Sequence, residues 1–253
     1  MELLKIDSLC KTFKKHKVTA VDDVNFSVFK GEVLGLVGES GCGKSTLAKL
    51  ILRLIDADKG SIFYKDKDLL KISHGDMRNV RKDLQIIFQD PYASLDPSMR
   101  VGEVIKEVYD IHKNFSRRER KNKAIELLET VGLGESYLNR FPSELSGGER
   151  QRVGIARTLA SDPEFIICDE PVSSLDISIQ AQILNLLIEL QKRKNLTYLF
   201  ISHDLGIIAS VCDRVMVMRS GKFVEEGQCE DIFMNPRHDY TKELLASSRI
   251  SYR

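Results

Sequence analysis

The stretch Gly38-Glu39-Ser40-Gly41-Cys42-Gly43-Lys44-Ser45-Thr46 limits the possible folds more than any other part of this chain. Glycine at both ends, followed by Lys-Ser, is the pattern of a phosphate-binding loop. Such a loop works only between a buried strand and the start of a helix. Val33-Leu34-Gly35-Leu36-Val37 is an apolar run of strand length, and Leu47, Leu50, Ile51 and Leu54 recur at helical spacing from Ser45 to Leu54. The glycines let the backbone wrap a polyphosphate, so that N–H groups and the positive helix end face its charge. In a loop of this kind Lys44 reaches the β- and γ-phosphates and the Ser45 hydroxyl ligates Mg²⁺. The chain reads as nucleotide-binding.

The 253 residues, 42% hydrophobic and 30% charged, suit one large domain or one domain with an inserted lobe. Lys+Arg 38 against Asp+Glu 37 leaves a formal net charge of +1, so bulk charge favours neither a nucleic acid nor an anionic membrane. Cys10, Cys42, Cys168, Cys212 and Cys229 are far apart and lack metal-site spacing. Reduced thiols in a cytosolic protein are the simplest reading. Within the loop, Cys42 is either a small space-filler or, if exposed, a reactive thiol. Met1 to Asp7 alternates like a strand and lacks a signal peptide's apolar core. No apolar run approaches membrane-spanning length, so any membrane role is expected to be peripheral.

From Leu3 to about Gly31 the chain reads as antiparallel strands, most clearly at Val24-Asn25-Phe26-Ser27-Val28. Phe13 lies here, either a stacking platform for a base or a core aromatic. A strand at Gly60–Tyr64 closes this region. Leu84 to Phe88 reads as a further strand, ended by Gln89-Asp90-Pro91. Helices follow, one beginning at Val101 and one from Arg117 to Val131, as expected of an inserted lobe. The basic run Arg117–Lys123 reads as a solvated helix face. Short apolar strands at 165–169, 199–202 and 214–218, separated by helices at about 178–194 and 205–211, imply an α/β fold with a mainly parallel sheet.

Two further stretches carry chemistry. Phe165-Ile166-Ile167-Cys168-Asp169-Glu170 is an apolar strand ending in two acids. In a phosphate-loop enzyme Asp169 can hold Mg²⁺ through its water shell and Glu170 can act as general base on the attacking water. Leu145-Ser146-Gly147-Gly148-Glu149-Arg150-Gln151 opens a helix running to about Ala160, with Ser146 and Glu149 spaced as a capping box. That helix start is either an ordinary glycine-rich beginning or a second phosphate-binding N-terminus. Two such sites suit two chains packed head to tail, each completing the other's site.

Together with Gln89, Ser173-Ser174-Leu175-Asp176 and His203, these stretches resemble the ordered motifs of ATP-binding cassette ATPases, and the resemblance covers nearly the whole chain. It implies a P-loop NTPase (RecA-like) core, an N-terminal antiparallel β region and a helical lobe inserted at about 90–155, all in one domain over 1–253. It also implies a dimer with two ATP molecules sandwiched at the interface. Gln89 would link the γ-phosphate and Mg²⁺ to the lobe, and Ser146 and Gly148, with Gly147 and Glu149 in the same stretch, would meet the partner's ATP. Asp176 would belong to the loop crossing between protomers, His203 would contact the γ-phosphate, and Phe13 would stack on adenine.

Phe88-Gln89-Asp90-Pro91-Tyr92-Ala93-Ser94-Leu95-Asp96-Pro97 and the tail Asn235-Pro236-Arg237-His238-Asp239-Tyr240-Thr241-Lys242-Glu243-Leu244-Leu245 look like the ATPases of dipeptide, oligopeptide and nickel importers. Asp239 stands where that branch commonly has proline. The resemblance implies an ATP-hydrolysing motor peripheral to the cytoplasmic side of the membrane. Its expected partners are two separate permease subunits, a second ATPase subunit (a heterodimer is expected, a homodimer is the alternative) and an extracytoplasmic substrate-binding protein, with no nucleic acid. Some partner-type ATPases carry a cysteine-rich extension after such a tail, and none is expected here. The competing class is a soluble cassette ATPase acting on ribosomes or DNA; a non-hydrolysing regulator is disfavoured by the presence of Glu170.

Overall fold

The computed structural model describes residues 1–248 except 91, 93, 94, 113 and 114. Met1–Arg81, together with the chain from Asn195 onward, forms one compact unit, and Lys82–Lys194 forms a second.

The first unit holds two sheets. Strands Glu2–Phe13 and Val18–Phe29 pair antiparallel, from Glu2↔Phe29 to Phe13↔Val18, and strands Lys59–Tyr64 and Lys67–Asp68 extend the far edge. The alternation at Val24, Phe26 and Val28 buries all three while Asn25 faces out. In the other sheet, strand Val33–Val37 lies between Thr197–Ile201 and Arg214–Arg219, parallel to both, with Leu36 opposite Ile201 and Met216. Val33–Val37 and Thr197–Ile201 are buried at every position. Their near-continuous apolar sequence is what a two-sided parallel strand requires. Lys222–Gln228 adds antiparallel to Arg214–Arg219. Its sequence, KFVEEGQ, gives little strand signal, because pairing with an apolar neighbour supplies what propensity does not.

Two readings of local pattern need correction, and one helix went unread. The helix after the phosphate loop runs over Lys44–Ile51, not to Leu54. Arg53 adopts φ +49 and its guanidinium donates to the carbonyls of Leu69 and Ile72, which turns the chain away and leaves Leu54 half exposed. The strand beginning at Leu84 ends at Ile87, leaving Phe88 outside it. A helix over His74–Asp83 was not legible, because its strongly polar sequence buries only Met77 and Val80.

In the second unit, strands Leu84–Ile87 and Phe165–Asp169 run parallel, with Ile87 opposite Cys168. Helices Val101–His112, Arg117–Thr130, Gly147–Ala160 and Ile177–Lys194 belong to the same unit. Arg117–Thr130 starts at a Ser116–Glu119 capping box and buries Ala124 and Leu128. Two of its basic side chains lie in surface ion pairs, Arg120 with Asp110 and Lys121 with Glu135.

Candidate nucleotide site

The phosphate loop leaves the carboxyl end of the buried strand Val33–Val37, the edge at which parallel sheets bind ligands. Gly38, Cys42, Gly43 and Lys44 are buried, Ser45 and Thr46 are half-buried, and Glu39, Ser40 and Gly41 form an exposed rim. Gly43 is the N-cap of helix Lys44–Ile51 at φ +121, with no side-chain cap. A Cβ there would lie 2.0 Å from the Ala20 carbonyl oxygen, so only glycine fits. The Lys44 ammonium is turned into the loop and donates to the carbonyls of Gly38 at 2.7 Å and Glu39 at 2.9 Å. A phosphate entering the loop would compete for that charge at 5% solvent exposure, where electrostatic attraction is little screened. Burial pushes the Cys42 thiol up despite the nearby Lys44. This environment favours the space-filling role over the reactive one.

Other predicted residues of this unit stand as follows. His203 is exposed, two residues beyond strand Thr197–Ile201, and so lies at the same carboxyl edge as the loop. The helix after it is capped by Asp204, whose carboxylate accepts from the N–H groups of Gly206 and Ile207. Phe13 ends its strand 37% exposed, with the Lys11 ammonium 5.8 Å from the ring centre. An exposed ring face is what base stacking needs.

In the second unit, Asp169 ends a fully buried strand and is itself 8% exposed. Glu170 follows in the left-handed region at φ +48, a conformation that costs a non-glycine residue about 1 kcal/mol or more. The parallel register that sets Ile87 opposite Cys168 carries Gln89 to the level of Glu170. There the Gln89 Nε2 donates to Glu170 Oε2 at 3.0 Å, and the Ser174 hydroxyl donates to the Gln89 carbonyl at 3.5 Å. Three predicted motifs thus meet within one unit, though their residues are up to 85 positions apart.

The glycine-rich helix start is a complete capping box. The Ser146 hydroxyl accepts from Glu149 N–H, and Ser146 N–H donates to Glu149 Oε2 at 2.7 Å. The Tyr137 hydroxyl donates to the other Glu149 oxygen at 2.5 Å. The Tyr137 bond, then the Ser146 N–H, hold the Glu149 carboxyl below its usual range. Its carboxylate is therefore committed to the cap, while Ser146 faces solvent and Gly147 is half-buried. Gly148 is buried, and a Cβ on it would come 2.6 Å from an Ile179 methyl. Asp176 is exposed at the start of helix Ile177–Lys194, its carbonyl accepting from Ile179 and Gln180.

A family model described as "ABC transporter" matches residues 21–173, from before the phosphate loop to just past Glu170. The chain belongs to the ABC transporter family. It is 51% identical over 245 residues to the oligopeptide transport ATP-binding protein OppF of Bacillus subtilis, covering 94% of this chain and 80% of that one. It is 52% identical over 235 residues to AppF of the same organism, also an oligopeptide transport ATP-binding protein, covering 92% and 71%. Among solved structures, the ATP-binding cassette MJ0796, a dimer in a post-hydrolysis state bound to ADP and Pi, superposes with a TM-score of 0.81 at 28% identity, covering 90% of this chain and 99% of that one. CbiO1 of Clostridium perfringens, part of an ABC transporter complex, gives 0.82 at 28% identity, covering 92% and 91%. The fold is that of an ABC ATPase cassette, α/β with an N-terminal antiparallel sheet. Among the described residues, no helix is long and apolar enough to cross a membrane.

Sequence reasoning missed two contributors. Tyr137, which orients Glu149, offered no local signal. Tyr240 was part of a recognised tail motif without an assigned job, yet its hydroxyl accepts from Glu39 N–H in the phosphate loop.

Proposed function

We propose that this protein is the ATP-hydrolysing motor subunit of a peptide importer. The observation that carries the reading is the Gln89–Glu170 hydrogen bond, which holds a carboxylate beside an exposed amide at the end of a buried strand. In the proposed cycle, Lys44 and the backbone of Gly38–Thr46 bind the phosphates of ATP, and Phe13 stacks on adenine. Glu170 accepts a proton from the water that attacks the γ-phosphate. His203 and Gln89 contact the γ-phosphate region and register its loss. Ser45, Asp169 and Gln89 carry hydroxyl, carboxylate and amide oxygens, the hard donor types that suit Mg²⁺, and are proposed as its ligands, Asp169 through the ion's water shell. When bound, that ion would neutralise charge on the phosphates.

The capped helix start at Ser146–Glu149 is proposed to face the ATP of a second cassette, with Asp176 in the crossing loop. Hydrolysis then removes contacts that hold the two cassettes together, a ligand-controlled two-state element. The relatives named as oligopeptide transport proteins support a peptide as cargo, carried by separate permease subunits at the cytoplasmic membrane face. The helical lobe around residues 90–155 is proposed to transmit the motion to them. The reading as an ATPase of ribosomes or DNA is not favoured by those relatives.

Purified with its permeases, the wild type should hydrolyse ATP with stimulation by peptide-loaded binding protein. The Glu170→Gln variant should bind ATP but turn it over negligibly. Equal turnover by the two would remove Glu170 as the base. Recovery with ribosomes and not with permeases would remove the importer reading.

A further inference from the structure

The tail Asn235–Leu245 was legible as a motif, but nothing in the proposed cycle uses it. We propose that it positions the phosphate loop, with Tyr240 as the positioning residue; this rests on the reading of Gly38–Thr46 as the ATP site. The Tyr240 side chain is 2% exposed, and its hydroxyl accepts from the N–H of Glu39, 201 positions earlier, at 3.2 Å. The Arg219 guanidinium lies 4.6 Å from the Tyr240 ring centre, fixing the ring from the end of the strand next to Val33–Val37.

The tail itself is tied down. Glu225 accepts from the N–H groups of Arg237 at 2.7 Å and His238 at 3.1 Å, and His238 Nδ1 accepts from Tyr240 N–H at 3.1 Å. Thr241 beside it is 1% exposed. Asp239, the departure from the branch pattern, opens helix Asp239–Ser248 and pairs with Lys242 at 2.9 Å. An acid suits the positive end of a first helical turn, so Asp239 is compatible with the helix it opens.

The contact falls where it matters for phosphate. Glu39 to Cys42 is a turn closed by Cys42 N–H donating to the Glu39 carbonyl. Tyr240 holds one end of this turn through Glu39 N–H. Gly221 holds the other by donating its N–H to the Cys42 carbonyl at 2.9 Å. Between these anchors lie exposed Ser40 and Gly41, the rim a phosphate would meet. A glycine-rich turn left free would lose conformational entropy on binding ATP; one already held by the tail loses less, which is preorganisation. Because the coupling is reciprocal, ATP must also stabilise the docked tail.

The test uses the full chain and the variants Tyr240→Phe and Arg219→Met, with ATP binding measured calorimetrically and amide exchange followed by mass spectrometry. Tyr240→Phe keeps the ring and removes the acceptor. It should raise the dissociation constant for Mg-ATP by about three- to tenfold. It should also speed exchange in the nucleotide-free loop peptide containing Glu39, and raise the ATP KM by more than it lowers kcat. Arg219→Met, which leaves the hydroxyl in place, should give the same changes at about twofold, and it keeps the question open to test if Tyr240→Phe folds poorly. In the wild type, ATP should slow exchange across Tyr240–Leu245. Unchanged affinity and unchanged loop exchange in both variants would overturn the positioning role, as would a tail whose exchange ignores ATP. Failure of the wild type to bind ATP would instead overturn the nucleotide reading itself.

Discussion

Two helix starts, Gly43–Thr46 after the phosphate-loop glycines and Ser146–Glu149, are built in opposite ways. The second satisfies itself: Ser146 and Glu149 exchange hydrogen bonds, and Tyr137 secures the remaining carboxylate oxygen. The first has no side-chain cap, and its lysine bends back onto loop carbonyls. A start that is capped internally is rigid before anything binds and presents a finished surface. A start without a side-chain cap leaves its positive end to face a ligand. Their glycines differ in the same sense. A side chain at Gly43 would strike the backbone carbonyl of Ala20, whereas one at Gly148 would meet a side-chain methyl of Ile179.

That contrast can be broken at several points. Lys44→Ala removes the charge from the uncapped start and should lower ATPase activity by about a hundredfold or more, with ATP affinity falling in a direct binding assay. Glu170→Gln should cut single-turnover hydrolysis by about a hundredfold or more while ATP binding persists. Loss of binding together with turnover would mean that the carboxylate holds the site together instead of acting as base. Gly43→Ala should destabilise the first unit by about 3 kcal/mol or more, since both φ and space forbid it. Gly148→Ala should cost only about 1–2 kcal/mol, and denaturant melts of the two proteins would compare them directly.

Ser146→Ala takes the cap from the second start and should cost about 1 kcal/mol, or about 2–4 °C in Tm. ATP binding to the phosphate loop of the same chain should be unaffected. The Glu149 contribution adds a pH signature. Because its folded carboxyl is held below the unfolded value of 4.5, that stability is present above the unfolded value and is lost as pH falls through the folded one. A scan of Tm against acid pH should therefore fall less steeply in a Tyr137→Phe variant. The smallest effect concerns Cys42. Burial raises its thiol, so maleimide labelling at neutral pH should be slow without ATP and slower with it. Rapid, complete labelling with activity intact would contradict the burial of this part of the loop.

Much of the site could be read from the chain because each piece is encoded locally. Val33–Val37, the glycines of the loop and the first turn of helix Lys44–Ile51 are contiguous, and backbone geometry ties them to one conformation. The Ser146–Glu149 box is equally local, closed across three residues. Boundaries were less secure where a distant partner decided them. The helix after the loop stops early because Arg53 finds the carbonyls of Leu69 and Ile72. Lys222–Gln228 is a strand because Arg214–Arg219 offers it an edge.

The sequence by itself determined that a glycine-containing loop joins a buried strand to a helix, that two acids end a buried strand, and that a capped helix start accompanies them, since each depends on neighbours within a few residues. Only the tertiary structure decided which of these groups touch. Gln89 meets Glu170 because parallel register aligns two strand ends, and Tyr240 meets Glu39 because the tail folds back under the loop. Those contacts join residues 81 and 201 positions apart. No local pattern specifies such pairs, because a hydroxyl or amide has many possible partners and packing of the whole unit selects one.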